Sequence, residues 1–472
     1  MSRVLPAAGV VFDAAISVAV VGGGAAGACA ALAAAKAGAE VVILERDALP
    51  RGSTALSAGL VPAAGTRFQL ACGITDDADG FAADIQRKAG GAADPAIVAM
   101  VTRQAGPTIE WLADRHGLPF SVVDDFDYPG HGARRMHGLP SRSGAELIDR
   151  LQRAVEAAGV PVVTGATVDV LYADPDGRIR GIGYGRPDGT RETLATDAVV
   201  LACNGYGGDP ALVRQHIPEM DGALYFGHPG NRGDAVRWGE ALGASLRFMS
   251  GYQGHGSVAQ PHGILITWAV IMEGGVQVDA AGRRFSDETH GYSEQAAVVL
   301  REAFGVAFDI FDARIAGIAR QFEDFRTAEA SGAVVTAADV EGLAAALHLP
   351  EAALRETLDA VASMKTEGRT DRFGRRFAGA PALVPPYCGV RVTGALFHTQ
   401  GGLAVDTDAR VLRADGSRLP NLFAAGGAAA GVSGPTAAGY LSGNGLLTAT
   451  VLGRTAGAAA AKNLPQGEAA QG

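Results

Sequence analysis

Short apolar runs broken by glycine-rich turns set the pattern of this chain. The run from Ile16 to Val21 predicts a buried strand, the glycines at 22 to 24 a tight turn, and the small residues from Ala25 to Ala37 a helix that can approach a sheet closely. Glu40 to Leu44 predicts the next strand. Val162 to Leu171 and Ile179 to Tyr184 read as a strand pair joined by the Asp-Pro-Asp-Gly turn at 174 to 177. A strand from Asp197 ends at Asn204-Gly205, another over Leu422 to Ala425 ends at Gly426, and Gly443 to Ala460 reads as a long closing helix. The same pattern at both ends predicts one discontinuous domain, residues 1–245 and 377–472. The segment 246–376 turns aromatic, His-rich and helical, with a helical stretch over Thr336 to Ala362, and is expected to be an inserted domain. No internal repeat is visible, and the residues after Lys462 form a polar tail.

At 472 residues the chain is too long for one ordinary core, in keeping with two domains. Its 66 glycines are scattered through apolar segments and 48% of residues are hydrophobic, which suits close packing rather than disorder. A net charge of −10 without a basic, aromatic-interleaved patch argues against nucleic acid. No run of 18 apolar residues is free of glycine, proline and charge, and no signal-peptide pattern precedes the first strand, so a soluble cytoplasmic protein is expected. Cys29, Cys72, Cys203 and Cys388 lie far apart without a Cys-x-x-Cys pair and read as buried free thiols. The His and acid spacings form no tetrahedral metal set.

The chemistry starts at the first turn. Gly22, Gly24, Ala26 and Gly27 between a strand and a helix let a backbone approach a pyrophosphate, with the positive end of the helix facing the phosphates. Glu45, followed by Arg46, ends the second strand, where a carboxylate can accept both ribose hydroxyls and repel the extra phosphate of NADP. Arg51 to Gly59, carrying Ser53, Thr54 and Ser57, is a loop of small residues and hydroxyls suited to lie along a flat cofactor. Asn204 and Gly205 sit where open α/β sheets bind ligands.

These segments, with Gly230-Asn-Arg-Gly-Asp234, Gly274 to Glu288, Gly401-Gly402-Leu and Leu422-Phe-Ala-Ala-Gly426, resemble the fumarate reductase and 3-ketosteroid dehydrogenase group of FAD flavoproteins over nearly the whole chain. The resemblance implies an α/β fold: a Rossmann-like, glutathione-reductase-type FAD-binding domain interrupted by an α+β catalytic capping domain. It also implies that Ser53, Thr54 and Gly59 approach the pyrophosphate and flavin, Val168 the adenine, Asp234 the flavin side, and Leu446 and Leu447, with Gly443, the isoalloxazine edge. Members with covalent flavin carry a His in the 52–54 loop. Gly52, Ser53 and Thr54 stand there in this chain, which implies non-covalent FAD.

Reducing fumarate requires cationic side chains to clamp two carboxylates. Where fumarate reductases place arginines, this chain has Tyr292 and Tyr440, and their Thr-Glu-x-x-Arg segment is Thr267-Trp-Ala-Val-Ile271. Gly427 takes the place of a ribityl-binding Glu, and His398 alone stays in register. Gly439-Tyr-Leu-Ser-Gly443 is similar to the ketosteroid dehydrogenase branch that forms the Δ4 double bond. The implied reaction is desaturation next to the carbonyl of a small apolar ketone, a 3-ketosteroid or a cyclohexanone-type ring. Its acceptor would be a quinone or another non-nicotinamide group, since the one dinucleotide fingerprint is used by FAD. One tyrosine would remove the α-proton and the other polarise the carbonyl. Tyr292 is assigned to the proton, Ser442 to a relay, and Tyr440 with the Gly443 amide to the carbonyl oxygen, with the tyrosine roles exchangeable. His398 either holds its Gly-Gly loop or touches substrate. His255 and His262 are candidates for the substrate entrance, and Trp111 and Phe120 for core packing on a helix. His131, Arg134, Arg135 and His137 read as a solvated basic lid that could instead receive an acidic group. The alternatives are a reductase of carboxylated alkenes and a flavoprotein electron-transfer subunit.

Overall fold

The computed structural model describes residues 2–124, 127–377 and 379–464, so the end of the polar tail lies outside the described residues. The chain divides into two compact units, residues 1–217, 227–252 and 398–472 in the first, and 218–226 and 253–397 in the second.

The first unit is built on a nine-stranded sheet. Strand Ala14–Val21 pairs in parallel with Val41–Leu44 on one side and with Arg191–Leu201 on the other, and Arg418–Ala424 joins Arg191–Leu201 in parallel. All four residues of Val41–Leu44 and the last four of Arg191–Leu201 are buried, as expected of parallel strands covered on both faces. Helix Ala25–Lys36 packs against helix Asn444–Lys462 with no side-chain clearance. A Cβ at Gly453 would lie 2.3 Å from the Ala26 carbonyl oxygen, and one at Gly457 1.9 Å from that of Ala30. The expected strand Val162 to Leu171 is two strands. Gly165 (φ +63°) turns the chain between them, so Val162–Val163 extends Val41–Leu44 while Thr167–Ala173 pairs with Ile179–Gly185.

The second unit centres on Tyr387–Thr399, whose residues up to Phe397 lie in that unit and which pairs with Ala307–Asp312, Val334–Ala337 and Leu224–Tyr225. The stretch expected to be helical from Thr336 opens instead with strand Val334–Ala337. Helices Val340–Leu347 and Glu351–Glu367 follow, separated at His348 (φ +57°), with Pro350 capping the second helix. Cys29 and Cys388 are buried free thiols. Cys203 is half-buried and Cys72 exposed, because Cys72 caps the short surface helix Arg67–Ala71. Trp111 lies buried on helix Pro95–His116, whereas Phe120, also buried, lies beyond its end. Among the described residues no helix is long and apolar enough to cross a membrane.

Candidate active site and cofactor cradle

The first unit holds the glycine turn. Gly22 has φ +106°, and a Cβ on it would lie 2.6 Å from the Ala202 carbonyl oxygen; one on Gly27 would lie 1.9 Å from the Gly22 carbonyl oxygen. The strand, the turn and the helix therefore touch through backbone alone. Gly24, the N-cap of helix Ala25–Lys36, supplies no side-chain cap, and the Ala25 amide donates to Thr54 Oγ1 at 3.1 Å. That leaves a helix N-terminus of positive potential next to the Ser53–Thr54 loop, the arrangement a pyrophosphate requires. Glu45, 8% exposed, accepts from the Gly23 and Asp47 amides at 2.7 and 2.9 Å, which fixes its carboxylate beside the turn. Acidic strand end, a helix N-terminus capped by a glycine and glycine clearance together fit a dinucleotide.

Around this turn, Ser53 Oγ accepts from the His228 amide at 3.0 Å and from Asn231 Nδ2 at 2.9 Å. Arg46 donates to the Gly230 carbonyl at 2.8 Å, and a Cβ at Gly230 would run into its guanidinium. Ser57 Oγ donates to the Thr54 carbonyl and accepts from the Gly59 amide, and Gly59 (φ +66°) has no room for a Cβ beneath Ser143. Asn204 (φ +66°) accepts from the Gly205 amide at 2.8 Å, and a Cβ at Gly427 would lie 2.1 Å from Asn204 Oδ1. A longer side chain at 427 is therefore excluded while Asn204 keeps this position. Gly426 (φ +59°) opens a 3₁₀ turn against Ala26. Val168 lies buried on Thr167–Ala173; Leu447 is buried and Leu446 half-buried in the first turn of Asn444–Lys462. Asp234 begins helix Asp234–Ala241 and accepts from Ser2 Oγ.

Polar groups converge at the start of helix Asn444–Lys462. The Gly445 amide donates to Tyr440 Oη at 3.4 Å, and the Gly443 amide also supports that oxygen. Burial nevertheless pushes the phenol's pKa up, so Tyr440 stays protonated. The His398 ring stands edge-on to Tyr440, with centroids 5.5 Å apart, and a Cβ at Gly445 would lie 2.7 Å from His398 Nε2. Burial lowers His398 to about 4, so the ring is neutral at pH 7. Ser442 is 4% exposed, and its carbonyl accepts from His131 Nε2 at 3.0 Å.

Of the basic loop, Arg135 and His137 are buried rather than solvated, while Arg134 stays exposed. Arg135, 2% exposed, donates to both Asp76 oxygens at 2.8 and 2.9 Å and to Asp84 at 2.6 Å. Burial would raise the Asp84 carboxyl, but the Gly132 amide and the Arg135 and Arg87 guanidiniums outweigh it and hold it below its ordinary value. His131 and His137 are lowered to about 4 by burial, and His137 Nε2 bonds Thr66 Oγ1 at 2.8 Å. Arg134 pairs with Asp127 at 2.7 Å. Loop charge that looked free is neutralised within the loop's own surroundings.

In the second unit, Tyr292 starts helix Tyr292–Glu302 and is half-buried. Its ring stacks on His255 (4.9 Å, 21°), which stacks on Phe397 (5.3 Å, 24°), which stacks on Phe226 (4.7 Å, 24°). Trp268 meets His255 edge-on at 5.5 Å and Tyr292 at 6.4 Å. His255 is 4% exposed and lowered to about 3 by burial, its Nδ1 accepting from the Ser257 amide at 3.1 Å. It is the centre of an aromatic column rather than an entrance residue, whereas His262 is exposed.

Sequence reasoning missed Gln400, Ser433 and Asn444, which bond in series behind His398. Their signal was the Gln of His398-Thr-Gln-Gly-Gly and the Asn that opens the last helix, both polar in apolar surroundings.

The FAD binding domain family matches residues 17–446. The chain is 30% identical over 450 residues to the probable fumarate reductase Ifc3 of Shewanella frigidimarina, which covers 94% of this chain and 74% of that protein. Among solved structures, the open conformation of a flavocytochrome c3 fumarate reductase matches with a TM-score of 0.81 at 28% identity, over 96% of this chain and 79% of the other. The 3-ketosteroid-delta4-(5alpha)-dehydrogenase of Rhodococcus jostii RHA1, in complex with 4-androstene-3,17-dione, shares the fold with a TM-score of 0.75 at 23% identity, over 98% of this chain and all of the other. With its glycine turn, helix N-terminus and Glu45 matching that family's cofactor, the chain belongs to the FAD binding domain family and is an FAD-dependent oxidoreductase.

Proposed function

We propose that this protein desaturates a carbon–carbon bond next to a ketone, in a cyclic substrate of 3-ketosteroid or cyclohexanone type, with non-covalently held FAD. The observation that carries the reading is Tyr440: a buried phenol, held protonated, whose oxygen takes the Gly445 amide at the start of the last helix. Bound FAD supplies the acceptor for the β-hydride. Tyr440 O–H binds the carbonyl oxygen, and the positive end of helix Asn444–Lys462 adds to the stabilisation of the enolate as the α-proton leaves. Preorganised donors of this kind are worth about 3 kcal/mol. Since Tyr440 is a donor, the α-proton falls to Tyr292 acting as its phenolate, whose ring the stack on His255 orients and whose own hydroxyl proton leaves beforehand through a relay proposed at Ser442. A quinone or another non-nicotinamide group is the proposed electron acceptor.

Relatives named as fumarate reductases favour a second reading, reduction of a carboxylated alkene. That chemistry needs a cationic clamp for the carboxylate. Arg135 and Arg134, the cations the sequence offered for it, are bound to Asp76, Asp84 and Asp127. The two readings separate on anaerobic addition of a saturated 3-ketosteroid, cyclohexanone or succinate to the purified holoenzyme. Bleaching of the FAD absorbance by either ketone and not by succinate is expected; a response to succinate alone would replace the ketone reading with the carboxylate one.

A further inference from the structure

Behind His398 runs a buried series of hydrogen bonds with a definite direction. Asn444 Nδ2 donates to Ser433 Oγ at 3.0 Å, Ser433 Oγ donates to Gln400 Oε1 at 2.7 Å, and Gln400 Nε2 lies 3.1 Å from His398 Nδ1. Ser433 and Asn444 are fully buried and Gln400 is 3% exposed, so water does not compete for these groups. A carboxamide nitrogen only donates. Once Gln400 Oε1 is taken by Ser433, its Nε2–H meets Nδ1, which must present a lone pair. A neutral imidazole carries a single N–H, so the proton sits on Nε2. Nε2 is the nitrogen beside Gly445, and Tyr440 Oη lies 3.5 Å from the same Gly445 Cβ position. One competitor exists: the Thr399 carbonyl, 3.3 Å from Nδ1, would accept from an Nδ1–H.

We infer that Gln400 is a positioning residue that locks His398 as its Nε2–H tautomer, making His398 a second hydrogen-bond donor beside Tyr440 for the substrate oxygen. The donor role rests on the ketone reading above; the tautomer does not. Without Gln400, the Thr399 carbonyl is the remaining partner of Nδ1 and draws the proton there, which leaves Nε2 as an acceptor facing an oxygen it should donate to.

The test is ¹⁵N NMR of the holoenzyme with ¹⁵N-labelled histidine, the His398 resonances being identified by their loss in H398N. Nε2 protonated and Nδ1 bare is expected in the parent protein, and the reverse in Q400M. The second variant, Q400E, keeps the length and polarity of the side chain, and its carboxylate accepts from Nδ1–H, so it too should protonate Nδ1. In both variants turnover should fall by about tenfold or more at unchanged FAD content, with kcat changing more than KM. An Nδ1–H in the parent protein, or one tautomer common to the parent, Q400M and Q400E, overturns the inference. A tautomer that shifts as stated in a protein that no ketone bleaches would leave the positioning role standing and remove the ketone reading instead.

Discussion

The Gly445 amide donates its hydrogen to Tyr440 Oη, and a Cβ on Gly445 would lie 2.7 Å from His398 Nε2. One glycine thus orients the phenol and leaves room for the imidazole. Gly445→Ala is expected to retain FAD and lower turnover by about tenfold or more, because His398 must move away from Tyr440. Steady-state rates at matched flavin content check this, and an alanine variant of normal rate would show that the His398–Tyr440 geometry is irrelevant to turnover.

Tyr440→Phe removes the proposed carbonyl donor and Tyr292→Phe the proposed base. Each should keep FAD bound and lower ketone turnover on the order of 100-fold. The variants should differ in one respect: Tyr292→Phe blocks only the step that removes the α-proton. Exchange of that proton with deuterated solvent should therefore be abolished in Tyr292→Phe and merely slowed in Tyr440→Phe. Normal turnover in both would sink the mechanism.

Arg135 neutralises two buried carboxylates, Asp76 and Asp84, whose side chains are 4% and 6% exposed. Arg135→Leu leaves Asp76 without its guanidinium and Asp84 with Arg87 as its remaining cation, and breaking a buried pair in this way costs about 3 to 5 kcal/mol. Urea denaturation should show that loss. If stability were unchanged and the apparent affinity for a carboxylate substrate fell instead, the carboxylate reading would gain the cation it lacks.

Four histidines, His131, His137, His255 and His398, are held neutral by burial, at about 4, 4, 3 and 4 against an ordinary value of 6.5. The unfolded chain binds protons at these sites below about pH 6.5 while the folded chain does not, so stability is lost as pH falls from about 6.5 towards 4. Asp309 works in the opposite sense. Burial raises it from 3.8 to about 7, so its contribution declines as pH rises from about 4 to 7. Melting temperatures across pH 4.5 to 8 should rise with pH in the parent protein over the lower part of this range. In Asp309→Asn the rise should be steeper, because the opposing carboxyl is gone.

What was legible in the sequence is what is local. Strand, turn and helix at Ala14 to Lys36, and the acid at Glu45, lie within one stretch of chain, and Gly27 is dictated by the Gly22 carbonyl inside it, although Gly22 itself answers to the distant Ala202 carbonyl. The last helix was legible because its residues are small and continuous. Arg135 was misread because its partners Asp76 and Asp84 lie 59 and 51 residues upstream, and a Gly/Pro-flanked loop rich in charge looks the same whether or not such partners exist. The direction of the Gln400 series was equally hidden, since it depends on residues 33 and 11 positions apart meeting in the core. Thr336 to Ala362 shows a third limit: its first two residues end strand Val334–Ala337, whose β-branched Val334, Val335 and Thr336 complete a sheet whose other strands are far away in sequence.

The contact of Gly453 and Gly457 with Ala26 and Ala30 joins segments about 400 residues apart. During synthesis the helix behind the glycine turn therefore emerges early and waits, with its apolar flank bare, until nearly the whole described chain has been made. Forming so distant a pairing is slow, and the waiting intermediate is open to aggregation. With Leu446 and Leu447 proposed at the flavin edge, a pocket built on them forms only once this last helix has docked. A ribosome stalled before residue 444 would carry a chain whose glycine turn is complete in sequence but whose helix Ala25–Lys36 still lacks its packing partner.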